Sequence, residues 1–228
     1  VPGGLRASSA EVTAALRDVA ALGGFFVLRV GGPGAGWQPL GRSYARGCTD
    51  LAEAVARRHR AREARIGVSI AQLGHAARLW SPALACVLLH GIVPDLARLE
   101  RAADGPALRL PHPAGLRADR LPSPSLVLYE QVTGHLDALA RGLRVKVAPR
   151  LLDGNSASAL VEAARALLAA RPALRGPLTA LTTELLATGR LVGTGGITGP
   201  DLTFRRRSCC LYYRAPDGSK CGDCGLAR

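Results

Sequence analysis

Apolar positions along this chain fall mostly at helical spacing. Ser8-Ser9-Ala10-Glu11 reads as a capping box, and Val12, Ala15, Leu16 and Val19 then share one helical face until Gly23-Gly24 stops the run. FFVLRV, Phe25 to Val30, is the best strand candidate, and GGPGAG, Gly31 to Gly36, reads as a flexible turn. Helices resume from about Ser43. Ile66, Ile70, Leu73, Ala77 and Trp80 form one stripe at spacings of four, three, four and three. Ser81-Pro82 reads as a fresh N-cap and first helical residue, opening a short and nearly all-apolar helix that stops near Gly91.

The second half continues the pattern. Residues 95–122 hold mixed charge and several prolines, with a strand expected at LRLPH. Ser123-Pro124 starts a helix through Leu126, Tyr129, Leu136, Leu139 and Leu143. Asn155 or Ser156 is expected to cap the next one, carried by Leu160, Ala164, Leu167 and Leu168 and stopped before Pro172. Pro177 opens a last helix that ends at Gly189. The pattern predicts a mainly α protein, α+β with minor strands: one helical body over 1–192, a Gly-rich hinge at 193–200 (GTGGITGP), and a short C-terminal metal-binding tail over 201–228.

Composition narrows the classes. With 48% hydrophobic and 21% charged residues the chain can bury a core, and with 4% aromatics Ala, Leu and Val must fill it. VPGGLRASSAEV has no apolar run after Arg6, so no secretory signal is read there. The longest uncharged window, Leu79 to Pro94, is shorter than a membrane span and carries Ser81-Pro82 and His90. A soluble cytoplasmic protein is expected, with no transmembrane segment and with peripheral membrane contact left open. No methionine occurs, which allows for a start upstream of Val1.

Net charge is +13, almost all from Arg, since Lys occurs only at Lys146 and Lys220. Such a balance favours anionic partners. RRHRAREAR, Arg57 to Arg65, is the strongest basic run, and mixed with Glu63 on a helix it reads first as a solvated face. Its functional version is an anion-attracting rim. Nucleic-acid binding is not expected, because no aromatic platform or recognisable module accompanies the charge. GTGGITG lacks the Lys-Ser/Thr of a phosphate loop, and no G-x-S-x-G nucleophile elbow occurs. His59, His75, His90, His112 and His135 are scattered and read as structural, although His75 and His90 flank the Trp80 region. Cys86 reads as core, and Cys48 as core or partly buried.

Chemistry concentrates at the C-terminus, where Cys209, Cys210, Cys221 and Cys224 stand as CC-x10-C-x2-C. Four thiolates near one point suit zinc or an iron–sulfur cluster. Adjacent cysteines on an extended chain point to opposite sides, which serves a single tetrahedral ion poorly. A [2Fe–2S] rhomb has four separate thiolate positions on two irons. Arg205, Arg206, Arg207, Arg214 and Lys220 would offset the charge of such a cluster, and Leu211, Tyr212 and Tyr213 would shield one side. Zinc, or two disulfides, remain the other readings of these cysteines.

CCLYYR…CGDC resembles the tail of the FhuF-like ferric-siderophore reductases, whose signature is this CC-x10-C-x2-C arrangement around a [2Fe–2S] cluster. AARLWSPALACVLLHGIVPDL (Ala76 to Leu96) and LLDGNSASALVEAARALL (Leu151 to Leu168) are similar to helical segments of that family. Asp153 stands where the family often has an aromatic residue. The resemblance implies a cytoplasmic one-electron oxidoreductase that takes electrons from a cellular donor protein or reductant. The activity the resemblance implies is reduction of Fe(III)–siderophore to release Fe(II), as part of iron acquisition. It also implies cluster ligation by Cys209, Cys210, Cys221 and Cys224, with no further catalytic residue. Two other classes stand beside it: a zinc-binding basic nucleic-acid-binding protein, and a non-catalytic siderophore-binding or cluster-carrying protein.

Overall fold

Local signals start the helices in a computed structural model that describes residues 4–226. After a two-residue strand β1 (Arg6–Ala7), the Ser8 side chain accepts the Glu11 N–H while the Glu11 carboxylate accepts the Ser8 N–H at 2.8 Å. The predicted capping box thus opens α1 (Ser9–Ala20). Short elements follow: β2 (Arg29–Val30), β3 (Trp37–Pro39), α2 (Leu40–Ala45) and α3 (Thr49–Arg58). Next come the long α4 (Ala64–His90), then β4 (Ile92–Pro94), β5 (Glu100–Ala102), β6 (Leu108–Leu110) and β7 (Gly115–Arg117). Ser123 caps α5 (Pro124–Gly142) through its side chain, as its Ser-Pro signature predicts. The chain ends through α6 (Pro149–Ala170), α7 (Arg175–Leu186), β8 (Gly195–Ile197) and β9 (Phe204–Arg206).

The architecture is mainly α with minor strands in one domain, as expected. α4 is its axis and packs most extensively against α6 and α3. Trp80, Leu79, Ala83 and Leu84 of α4 meet Leu160, Val161, Ala164 and Leu167 of α6 in one continuous apolar core. The strands form small sheets around this frame. β7 lies antiparallel between β1 and β4. β6 pairs parallel with β2 and antiparallel with β5, which pairs with β3, and β8 pairs antiparallel with β9. No helix among the described residues is long and apolar enough to cross a membrane.

Several local readings change. Ser81-Pro82 opens no helix, because α4 runs through both residues without a break. An interior proline forfeits one backbone hydrogen bond, and the stretch of α4 that carries it, Leu79 to Cys86, is buried throughout, so core packing offsets the loss. Neither Asn155 nor Ser156 is a cap. α6 begins at Pro149, and both residues are buried in its middle. FFVLRV yields a 3-10 turn at Gly24–Phe26 and only two strand residues, Arg29–Val30. The last helix starts at Arg175 and ends at Leu186, before Gly189. The basic run does not lie on one helix: it spans the end of α3, a left-handed turn at Arg60 and the start of α4. The Gly-rich segment 193–200 contributes β8 to the hairpin that leads into the cysteines.

Candidate metal centre

Strand alternation sorts the three consecutive arginines before the cysteines. Along β9 and its continuation, Arg205 and Arg207 face solvent and Arg206 faces inward, leaving Arg206 only 1% exposed. Its Nη2 donates to Asn155 Oδ1 at 2.6 Å, to Ser208 Oγ at 3.3 Å and to Leu151 O at 3.4 Å. Its Nε and Nη1 are buried with no hydrogen-bond partner among the described residues, and no carboxylate pairs with it. A buried cation in that state calls for an anion beside it.

The residues in reach are thiols. Cys210 and Cys224 are buried, and Cys209 and Cys221 half-buried. Cys210 Sγ and Cys221 Sγ are 3.8 Å apart. The hydrogen bond from Cys221 pulls the Cys210 thiol down to about 6, helped by the Tyr212 N–H and the charge of Arg206. The same bond, followed by burial, pushes Cys221 well up, so Cys210 gives up its proton first. Burial raises Cys209, whose Sγ accepts the Leu211 N–H at 3.3 Å. A left-handed residue at Leu211 (φ 68°) turns the chain sharply just after the cysteine pair. Among the described residues, no three His, Cys, Asp or Glu side chains converge on one point as ligands of a single ion do.

Long-range contacts hold the segment on the helical body. Ser69 of α4 donates from Oγ to Cys210 O at 2.7 Å, and Asn155 Nδ2 donates to Ser69 O at 2.9 Å and to Gln72 Oε1 at 2.9 Å. The turn between Cys221 and Cys224 is pinned through Asp223, only 5% exposed, which accepts from Ser158 Oγ at 2.5 Å and lies 3.0 Å from Arg165 Nη2. The Arg206 N–H donates to Asp223 O at 3.0 Å, joining the two halves of the tail. Outside this network, Arg60 pairs with Asp217, and Arg214 with Glu63 at 2.6 Å. Part of the basic run therefore clasps the tail. Tyr212 meets His59 edge-on at 5.3 Å, while Tyr213 is 42% exposed.

Asp223, Asn155 and Ser69 carry no site role in the sequence pattern, and Arg206 stands there only as one of five charges that would offset a cluster. Only the inward phase of Arg206 on a strand was readable in advance.

The remaining candidates lie elsewhere. Cys48 and Cys86 are core residues, pushed up by burial to about 11 and about 12. His135 Nε2 is 2.9 Å from Leu96 O and must carry its proton there; Nδ1 then accepts from Tyr44 Oη at 3.2 Å, and Tyr44 accepts from His75 Nε2 at 2.8 Å. That chain is buried and occupied. His90 pairs with Asp18, and His112 is exposed on the turn after β6.

Residues 206–225 match the family model of the FhuF 2Fe-2S C-terminal domain, a span that includes all four tail cysteines. The cofactor this match indicates is a [2Fe–2S] cluster. No curated protein and no solved structure matches the chain. The residues present fit such a group. An oxidised cluster with four thiolates carries a charge of about −2, and the buried guanidinium of Arg206 has two nitrogens free to meet it.

Proposed function

We propose that this chain is a one-electron reductase of ferric siderophores, working in the cytoplasm with Cys209, Cys210, Cys221 and Cys224 as the cluster ligands. The observation that carries the reading is Arg206, a cation buried without a counter-ion among the described residues, against the cysteine segment that matches the cluster domain. In this division of labour the body up to residue 192 receives the chelate, residues 201–228 hold the cluster, and 193–200 joins them.

When bound, a [2Fe–2S] cluster supplies single electrons at a potential set by its surroundings. The chain's own residues set those surroundings. Arg206 favours the more negative, reduced state. Leu211 N–H donates to Cys209 Sγ, and α4 and α6 fix the backbone of the cysteine pair through Ser69 and Asn155. Hard anionic oxygens hold Fe(III) strongly and the lower-charged Fe(II) far less, so transfer of one electron to the chelated iron lets Fe(II) leave. No bond to carbon changes, so no acid, base or nucleophile is required. The electron comes from a separate donor protein or reductant.

The test is an anaerobic visible spectrum with iron, zinc and acid-labile sulfide measured on the same sample. A ferrous-iron trap then follows turnover with reductant and a ferric chelate. Matching iron and sulfide with Fe(II) release supports the reading. Stoichiometric zinc in a colourless protein overturns the cluster. A loaded cluster that never releases Fe(II) leaves a carrier rather than a reductase.

A further inference from the structure

A cavity of about 320 Å³ opens where the N-terminal turn of α6, the turn at 189–194 and the strand leading to the cysteines meet. Its volume is at the low end of small-molecule sites, which suits one face of a larger ligand. Arg150, Arg190 and Arg207 line it, with Asp153 as the one carboxylate. Asp153 is already engaged: Arg190 lies 2.9 Å from it and also bonds Asp137 at 2.6 Å. Arg150 and Arg207 are exposed and form no ion pair among the described residues. The cavity therefore presents two uncommitted guanidinium groups around a third that is held rigid. Val192, 60% exposed, adds an apolar edge.

Position matters as much as charge. Ser208 lines the cavity and is the residue before Cys209. Its Oγ accepts from the buried Arg206, and the Arg207 N–H donates to Thr194 O at 2.7 Å, which fixes this wall. Resting on the reductase reading above, we infer that this cavity is the substrate site and that it selects anionic chelates of a trivalent metal through Arg150 and Arg207. Paired carboxylate or catecholate oxygens on such a chelate match the planar donor forks of the two arginines. The basic run at 57–65 is the rival location, but Arg57, Arg60 and Arg65 there already pair with Glu53, Asp217 and Glu63.

Binding and turnover are separated by using gallium, which does not accept the electron. The full cluster-loaded chain is titrated with the trianionic gallium(III) tris-catecholate and with a neutral gallium(III) tris-hydroxamate. Arg150→Glu, Arg207→Glu and the control pair Arg58→Glu/Arg62→Glu are measured beside it, each with its visible spectrum as a check on the cluster. Arg150 is on α6, outside the cysteine segment in the chain, so its variant tests the site even if Arg207→Glu disturbs the tail. The inference expects the catecholate to bind, each cavity variant to weaken it by about tenfold or more, and the control pair and the neutral chelate to change far less. Unchanged affinity in Arg150→Glu, equal loss in the control pair, or no binding to the parent chain overturns it. Fe(II) release from the ferric form that is indifferent to Arg150 would overturn the site while keeping the reductase. Charge-selective gallium binding without Fe(II) release would keep the site and remove the reductase.

Discussion

Arg206 Nη2 and Asn155 Oδ1 form a 2.6 Å hydrogen bond between two buried side chains. Asn155 is satisfied in turn by Ser69 and Gln72 of α4, so one amide ties the cysteine segment, α4 and α6 together. A charge held this firmly acts on whatever anion lies beside it. Arg206→Gln should lower the reduction potential, because losing positive charge penalises the more negative reduced state. The shift should be on the order of tens of millivolts. Arg206→Lys should recover much of it, because the positive charge stays, while changing the single contact that Nη2 makes to Asn155. Potentiometric titration of the loaded protein reads both. Equal potentials in the parent and Arg206→Gln would mean that the guanidinium serves packing alone.

Gly154 offers a test of how the tail docks. A helix interior ordinarily gains up to about 1 kcal/mol when Gly becomes Ala. Here the added methyl would overlap Ser208 Oγ and approach Arg206 Nη2 to 3.2 Å. Such overpacking costs about 1–3 kcal/mol, so the clash wins. Gly154→Ala should therefore loosen residues 204–210 while leaving α6 intact. Hydrogen exchange would show faster exchange in that segment alone. A uniformly stabilised protein would mean that Ser208 moves aside freely.

What the sequence made legible, and what it hid, follows from the range of each interaction. Ser8 and Ser123 were readable as caps because their partners, Glu11 and Leu126, lie three residues away. The cysteine motif was readable because CC-x10-C-x2-C is itself a local pattern, and it falls within the matched residues 206–225. Asn155 was misread as a helix start because a polar residue among apolar ones usually marks an end, and its partner Arg206 is 51 residues further on. Ser81 was misread for a related reason. It is buried inside α4, and tertiary packing overrides the break that Ser-Pro signals locally. Asp223 lies between two cysteines, and nothing local connects it to Ser158 or Arg165 of α6.

That Asp223 contact predicts a coupled pair. Asp223→Asn keeps the shape of the turn but removes the charge facing Arg165 and weakens the bond from Ser158. Hydrogen bonds to charged groups contribute about 1.5–3 kcal/mol. Asp223→Asn and Ser158→Ala should each shorten the lifetime of the cluster in the presence of a chelator. The double variant should fall short of the sum by roughly 1 kcal/mol or more. Additive effects would show that the two side chains act independently.

His75 makes stability depend on pH. Burial, followed by the charges of His135, Arg78 and Arg101, holds it down to about 3 from an ordinary value of 6.5, and burial also lowers His135. The folded chain therefore keeps His75 neutral where the unfolded chain takes up a proton. Because the unfolded state binds the extra proton, stability rises with pH across this window. The contribution is complete above pH 6.5 and is lost progressively as pH falls toward 3, at up to about 1.4 kcal/mol per pH unit for each such site. Urea midpoints followed by circular dichroism at pH 7.5 and pH 5 should differ by about 2 kcal/mol from His75 alone. In His75→Gln the side-chain amide can still donate to Tyr44 Oη, so the fold should survive. Its difference between the two pH values should shrink by that amount. A parent protein equally stable at both pH values would show that the Tyr44–His75–His135 chain opens to water before it protonates.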